Sequence, residues 1–271
     1  MVEYVITPEK GWGSLSLSEL SSYRDLYWYL SWRNVAVRYK QTLFGVVWAL
    51  LQPLAASGIF TIFLGMFAKV PSDGRPYFLF TFCAMLPWTF FRNTVSQAAL
   101  SLVQNAQLVT KVYFPRIFVP AAIAPVGLID LCVTLAALLP IMVWFEVPFT
   151  SNLLLAPLFL LGVTICAVGI GTGLAAINVR FRDVRFTIPF LMQCWMFATP
   201  IVYPTSVVPV KYRWLLGLNP MAGMIEGFRA SLLGLPIPWE MVLYSTLVTI
   251  LALIFGLLIF RRTERYFADV I

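Results

Sequence analysis

The sequence predicts an all-α integral membrane protein with six transmembrane helices. The 271 residues are 60% hydrophobic and only 11% charged, and the mean hydropathy is +0.85. A soluble domain of this size carries about twice that share of charge. In addition, the apolar residues are gathered in blocks of roughly the 20 residues that a helix needs to cross a bilayer core of about 30 Å.

Each apolar block is interpreted as one span. We place the six spans at Phe44–Phe67, Phe78–Phe91, Ile117–Phe145, Leu153–Ile177, Phe186–Tyr203 and Trp239–Phe260. The second block is short, and we expect its helix to continue past Arg92 to Leu102. The fourth and fifth spans are separate because Arg180, Arg182 and Arg185 lie between them. Each arginine costs about 3 kcal/mol at the centre of a membrane helix.

Lysine and arginine are unevenly divided between the two ends of these spans. Fourteen lie in the leader, the second loop, the fourth loop and the tail, against five in the other loops. Because positive residues are retained on the cytoplasmic side of a membrane, both termini are predicted to be cytoplasmic. The net charge of +7 is explained by this bias, and we expect no binding to nucleic acid.

We divide the chain into a cytoplasmic leader of residues 1–40 and a transmembrane domain of residues 41–271. The segment Ser16–Glu19, "SLSE", matches a helix capping box. After it come the aromatic residues Tyr23, Tyr27, Trp28, Tyr29 and Trp32. Aromatic side chains with one apolar and one polar end favour the headgroup layer, so we predict an interfacial amphipathic helix. An ordinary cytosolic helix is the alternative.

The segment Tyr203–Pro238 before the last span is unusual. It contains five prolines and is too short for two further spans, yet Trp214–Phe228 is too apolar for a solvated loop. We predict two short re-entrant helices that form an external gate, with irregular backbone at Asn219–Pro220. The gate residues are Leu218, Asn219, Pro220, Met221 and Met224. A surface-lying amphipathic helix is the alternative.

Several residues in the apolar blocks are candidates for helix contacts. Gly169 and Gly173 predict close helix packing, and Gly223 and Gly227 predict a tight re-entrant turn. Glu226 and Arg229, three residues apart, are expected to pair on a helix near the external interface.

Asp130 lies in the middle of the third span, where an acid is a functional candidate by default. The sequence offers it neither a histidine nor an intramembrane cation as a relay partner. We therefore favour a packing or hydrogen-bonding role over an ion pathway.

The sequence contains no catalytic or metal-binding motif. Histidine is absent, and the four cysteines fall in separate apolar blocks without C-x-x-C spacing. No phosphate-binding G-x-x-x-x-G-K-[ST] loop occurs. We expect no catalytic residue, metal or cofactor in this chain, and any ATP hydrolysis in a separate subunit.

Six phrases, read together, resemble one known family. They are "VRYKQTLFGVVWALLQPL" (Val37–Leu54), "MLPWTFF" (Met85–Phe91), "KVYFPR" (Lys111–Arg116), "INVRFRDV" (Ile177–Val184), "WMFATPIVYP" (Trp195–Pro204) and "LNPMAGMIEGFR" (Leu218–Arg229). In this order they resemble the ABC-2 type permeases that export polysaccharides, the family of O-antigen and teichoic acid exporter membrane subunits.

The resemblance implies a homodimer that pairs with two copies of an ABC ATPase, which would hold ATP and magnesium. The expected substrate is an undecaprenyl-linked polysaccharide, similar to O-antigen, which is moved across the bacterial inner membrane. Two alternatives remain. One is an ABC-2 permease for drugs or other small hydrophobic molecules, and the other is a membrane enzyme or a channel subunit.

The resemblance also assigns site residues. A coupling helix of about Leu100–Thr110, with the segment after it, would dock on the ATPase through Gln104, Asn105, Gln107, Lys111, Tyr113 and Arg116. A solvated loop is the alternative. Aromatic rings that stack on sugars would line the path, with Phe60, Phe63 and Phe67 at a 3–4 spacing on one side of span one and Trp195 and Phe197 on span five. Lipid-facing aromatics are the alternative for these five.

Overall fold

The computed structural model describes residues 21–40 and 45–267, and the regular structure of these residues is helical, without a strand. This confirms the all-α fold class. The helices are α1 (Arg24–Lys40), α2 (Gly45–Phe60), α3 (Tyr77–Gln104), α4 (Ala106–Lys111), α5 (Phe118–Ala121), α6 (Ala124–Trp144), α7 (Ala156–Arg180), α8 (Val184–Ala198), α9 (Arg213–Gly217), α10 (Pro220–Leu233) and α11 (Trp239–Glu264). The capping box at Ser16–Glu19 lies outside the described residues.

Four helical stretches within the described residues are long and apolar enough to cross a membrane. They are Val47–Phe67, Phe118–Trp144, Ser151–Arg180 and Trp239–Glu264, which correspond to the predicted spans one, three, four and six. The second block continues as a helix past Arg92 to Leu102, as predicted, and α3 ends two residues later at Gln104. The fifth is shorter than predicted, since α8 ends at Ala198, just before Pro200. The total of six spans stays a prediction.

Helix α3 lies at the centre of the bundle. It packs against α2, α6, α7, α8 and α10, and its side chains from Leu79 to Trp88 are buried. Since α3 is surrounded by protein, it tolerates polar residues that a lipid-facing helix would not. This explains why the second span has a weaker apolar signal than its neighbours.

Glycines allow close approach between α7 and α11. The Cα of Gly256 is 3.0 Å from the position that a Cβ on Gly173 would occupy. A Cβ on Gly169 would be 2.6 Å from the Cα of Leu253, and a Cβ on Gly256 would overlap the carbonyl oxygen of Gly169. The prediction of close packing at Gly169 and Gly173 is therefore confirmed.

The prediction of a tight turn at Gly223 and Gly227 is wrong. Both glycines lie inside the regular helix α10. A Cβ on Gly223 would be 2.6 Å from the carbonyl oxygen of Met241, and one on Gly227 would overlap the Phe159 ring. These glycines serve the same purpose as those of α7, which is to let α10 pack tightly on its neighbours.

The segments that carry most of the positive charge meet at one end of the bundle. A buried apolar cluster there contains Leu30 of α1, Phe118 of α5, Val179 of α7, Phe260 of α11 and Phe267. The leader, the segment after α3, the end of α7 and the tail therefore lie together, as their shared excess of lysine and arginine predicts. That this end faces the cytoplasm stays a prediction.

The close contact between α7 and α11 predicts that a larger residue at Gly256 lowers the stability of the protein. The substitution Gly256→Ala should destabilise the protein by about 1–3 kcal/mol, because a methyl group overpacks the contact with Gly169. Thermal unfolding in detergent measures this as a lower Tm. Gly58→Ala is the matched control, since Gly58 is also helical and nothing lies within 4 Å of the position that a Cβ on it would occupy. An equal fall in Tm for both variants would contradict the contact.

Candidate functional site

The segment predicted to dock on an ATPase is a short helix separated from α3 by one residue. Asn105 breaks the helix, with φ −107° and ψ 29°, and α4 follows it. The predicted coupling helix is therefore partly wrong, because Leu100 to Gln104 belong to α3. The buried side chain of Val109 anchors α4 to the bundle. Of the six residues predicted to dock, Gln104, Gln107, Lys111 and Tyr113 have exposed side chains.

Two residues expected at the docking surface instead make contacts within the chain. Asn105 Oδ1 accepts a hydrogen bond from Arg33 Nη2 at 2.7 Å, and its Nδ2 donates to the Ser101 carbonyl at 2.8 Å. Arg116 Nη1 donates to the Glu264 carbonyl at 2.8 Å, at the end of α11. A cation at a helix C-terminus satisfies carbonyl groups that lack intrahelical partners. The docking role of the exposed residues stays a prediction.

The leader helix α1 has an inner and an outer aromatic side. The Tyr27 ring lies 5.6 Å from that of Phe118, and Tyr23 packs on the same cluster. Burial raises the pKa of Tyr27 above its usual value, so its hydroxyl stays protonated near neutral pH. Trp28 and Trp32 are 66% and 71% exposed. The helix predicted from the aromatic leader is present, and its location at the membrane surface stays a prediction.

Asp130 has a cation partner in the leader, which the sequence alone did not indicate. Arg38 Nη2 lies 2.6 Å from Asp130 Oδ2, and the Tyr39 hydroxyl donates to Oδ1. Burial, and then the bond to Asp130, raise the pKa of Tyr39 to about 12, so its hydroxyl remains a donor at neutral pH. The expectation that Asp130 lacks a cation was wrong, because the partner comes from the leader. The hydrogen-bonding role is confirmed.

The three phenylalanines of span one do not share one face. After Phe60 the helix continues as a π-helix over Thr61–Phe67, which alters the angular spacing of the side chains. Phe60 packs against the core, whereas the rings of Phe63 and Phe67 are exposed and contact each other at 5.9 Å. That these rings line a translocation path stays a prediction. Phe63 and Phe67 are better placed for it than Phe60, because their rings are exposed.

The two aromatic residues of span five also differ. The Trp195 ring packs edge-on against Phe91 at 5.2 Å, and its Nε1 donates to Asn219 Oδ1 at 2.9 Å. Phe197 is exposed. Trp195 therefore joins span five to the segment predicted as a gate, while Phe197 is available to line a path.

The predicted gate contains two short helices with a break between them. Helix α9 is largely exposed, and all fourteen residues of α10 are buried. Asn219 is extended and caps α10 by accepting from Met221 N at 3.0 Å. This confirms the two helices and the irregular backbone at Asn219–Pro220. It also rules out a surface-lying helix for α10.

The gate residues are not equally accessible. Met221 and Met224 of α10 are buried, as a closed gate requires, whereas Leu218 is exposed at the end of α9. Leu218 is therefore not part of the protected group. Opening of the segment as an external gate stays a prediction.

Glu226 and Arg229 form an ion pair, as predicted from their spacing, and both side chains are buried in the bundle. Arg229 is fully buried, and its Nη1 donates to the Pro200 carbonyl at 3.0 Å. Its guanidinium lies 3.7 Å from the centre of the Phe80 ring. Arg229 thus holds the broken end of span five through hydrogen bonds and a cation–π contact. Asp73, on the loop before α3, accepts a hydrogen bond from the Ser206 hydroxyl at 2.7 Å, and the neighbouring Thr205 hydroxyl donates to Glu226 Oε1 at 3.5 Å.

The exposed side chains of α4, span one and span five offer surfaces for binding. Within the described residues no group of three His, Cys, Asp or Glu side chains is suited to hold a metal.

The ABC-2 type transporter family matches residues 25–233. The chain belongs to this family. Since ABC-2 proteins are membrane permeases and four of the helices are long and apolar enough to span, it is a multi-pass membrane protein.

Curated relatives of this ABC-2 protein are similar over most of its length. An O-antigen export system permease protein RfbA from Klebsiella pneumoniae is 28% identical, covering 91% of this chain and 95% of the relative. One from Myxococcus xanthus is 29% identical over 78% and 82%. The polysialic acid transport protein KpsM of Escherichia coli is 25% identical over 86% and 91%.

The buried ion pair predicts a strong mutational effect. Arg229→Met should cost about 3–5 kcal/mol, because it leaves the Glu226 carboxylate buried without its cation. Adding Glu226→Gln should recover part of the loss, since the double variant buries no charge. Unfolding in detergent measures both, with exposed Lys211→Gln as the control. Equal stability of Arg229→Met and the wild type would show that the pair is not formed.

Proposed function

We propose that this chain is the permease subunit of an ATP-driven exporter that moves a lipid-linked polysaccharide across the bacterial inner membrane. The observation that carries the proposal is the similarity, over most of both chains, to relatives named for O-antigen export and polysialic acid transport. The shared chemistry of these named cargoes is a long glycan. A carrier for drugs or other small hydrophobic molecules is less well supported by these names.

The ABC-2 family implies a transporter with an ATPase partner. We propose a homodimer of this chain with two copies of an ABC ATPase, in which ATP and magnesium bind. The short helix α4 is suited to such a partner because it is anchored by one buried residue and presents polar side chains outward. The basic end of the bundle, which holds α4, would then be cytoplasmic together with both termini.

The exposed aromatic residues support a glycan substrate. Phe63 and Phe67 present two contacting rings on span one, and Phe197 is exposed on span five. The C–H groups on the face of a sugar ring stack on aromatic rings, and this contact does not require one fixed position of the sugar. A polymer can therefore slide along such a surface. An undecaprenyl carrier is proposed as the lipid anchor.

A deletion experiment tests the proposed function. Removal of the gene from the bacterium that encodes it should abolish one surface polysaccharide and cause its lipid-linked form to accumulate inside the cell. Expression of this chain should reverse both effects. Surface staining and extraction of lipid-linked glycans provide the measurements. Unchanged surface glycan without internal accumulation would reject the proposal.

The docking role predicts a loss of coupling. Gln107→Glu with Lys111→Glu should weaken co-purification of the ATPase, because both side chains are exposed on α4 and the change reverses its charge. The level in the membrane should stay normal, since neither side chain is buried. Lys211→Glu, far from α4 in the chain and also exposed, is the control. Normal ATPase recovery with the double variant would contradict docking at α4.

The aromatic path predicts separable effects on export and on stability. Phe63→Ala with Phe67→Ala should reduce export severalfold at normal complex yield, because these rings are exposed. Phe60→Ala should instead lower stability, since Phe60 packs against the core. Ile62→Ala, an exposed aliphatic residue of the same helix, is the control. If the double variant exports as well as Ile62→Ala, the rings face only lipid.

A further inference from the structure

The leader helix α1 contacts two regions to which the proposed function gives different roles. Arg33 Nη2 donates to Asn105 Oδ1 at 2.7 Å, next to the proposed docking helix α4. Arg38 and Tyr39 contact Asp130 of α6. Arg33 and Arg38 are five residues apart, about 7.5 Å along the axis of one continuous helix. A single rigid element therefore connects these two regions.

The contact at Asp130 is specific. Both oxygens of its carboxylate are engaged by α1, one by the Arg38 guanidinium and the other by the Tyr39 hydroxyl. The Asp130 side chain is only 13% exposed and that of Arg38 is 30% exposed. A carboxylate within an apolar span needs such partners to offset the loss of its hydration. The position of Asp130 is thus tied to the end of α1.

Further contacts hold α1 against the beginning of span three. The Tyr27 ring packs on that of Phe118, and Asn34 Nδ2 donates to the Ala122 carbonyl at 3.3 Å. The partners occur in the same order along both segments, and Asp130 lies eight residues beyond Ala122, about 12 Å in a helix. Helix α1 therefore follows span three rather than crossing it at one point.

The contact at Asn105 is placed at a joint. Asn105 separates α3 from α4, and its own side chain donates to the Ser101 carbonyl in the last turn of α3. A rotation of α4 against α3 changes the backbone at this residue. The Arg33 guanidinium is bonded to the joint itself, so α1 is positioned to respond to such a rotation.

We propose that α1 is a coupling arm that transmits movement of the docking helix α4 to span three. In this arm Arg33 connects α1 to the joint at Asn105, and the Arg38–Asp130 pair connects it to α6. The arm rests on the proposed function, because it requires α4 to dock on an ATPase. Arg33, Arg38 and Asp130 act as positioning residues for transport.

A small cavity explains why the position of Asp130 matters. Asp130 also borders a space lined by Pro53 of α2, Thr89 and Asn93 of α3, and Thr134 of α6. Its volume of about 20 Å³ accommodates one water molecule with polar partners. Spans one, two and three meet at this cavity. Displacement of Asp130 by α1 therefore alters the packing of all three spans.

Distance measurements between the two protomers test the arm. One reporter is a spin label on the native Cys132, two residues after Asp130, with the other three cysteines replaced by alanine. The second is a label on Gln107→Cys of α4 in a cysteine-free chain. Pulsed electron resonance gives each label-to-label distance with the ATPase bound, before and after trapping with ATP and vanadate. In the wild type both distances should shift.

The variants Arg38→Gln and Asp130→Asn should retain the shift at position 107 and lose that at 132. Lys40→Gln, which removes an exposed charge from the same end of α1, should retain both. The exchange of Arg38→Asp with Asp130→Arg should restore the shift at 132. Normal yield and normal ATPase co-purification exclude misfolding of the single variants.

Three outcomes would overturn the arm, and the first two differ in what else they affect. A shift at 132 that persists in Arg38→Gln and in Asp130→Asn rejects the arm and leaves docking at α4 intact. An absent shift at 107 in the wild type rejects docking at α4, and the arm with it. Should the exchange variant not assemble, Arg38→Lys serves as the rescue variant, because it keeps the cation. Failure of both rescues at normal assembly also rejects the arm.

Discussion

The structure depends on the requirement that polar groups inside a bilayer find partners within the protein. At the break after span five, Arg229 donates to the Pro200 carbonyl, pairs with Glu226 and lies on the Phe80 ring. Asn219 caps α10 and receives the Trp195 hydrogen bond. An interrupted backbone is tolerated in a membrane only when it is satisfied in this way. These side chains permit a short span five and a fully buried α10.

The same requirement explains the other end of the bundle. The leader is polar enough to be a tail, yet Arg33 and Arg38 are bonded to Asn105 and Asp130. A mid-span acid and a cationic leader neutralise each other, so each can be retained near apolar surroundings. The polar contacts that stabilise the fold also join the proposed ATPase-docking helix to the spans.

Much of this arrangement could be predicted from the sequence, because apolar block length and lysine and arginine placement are local signals. The close packing at Gly169 and Gly173 and the Glu226–Arg229 pair follow from spacing within one helix, whereas the identity of the packing partner, α11, does not. The Arg38–Asp130 pair could not be found in this way, since its partners lie on separate helices far apart in the sequence. The π-helix after Phe60 leaves no mark in composition, so the phenylalanine face was misjudged. Asn105 and Arg116 were predicted to lie on the docking surface because the partners that they bind within the chain are also distant in sequence.

The proposal on which the others rest is that this ABC-2 protein moves a lipid-linked glycan across a membrane with energy from ATP. Reconstitution in proteoliposomes with its ATPase, oriented with the ATPase outside, tests it most directly. The measurement is protection of lipid-linked glycan from an added glycosidase. Protection should appear with ATP and be absent without ATP or with a catalytically inactive ATPase. ATP hydrolysis at a normal rate without any protection of glycan would contradict it.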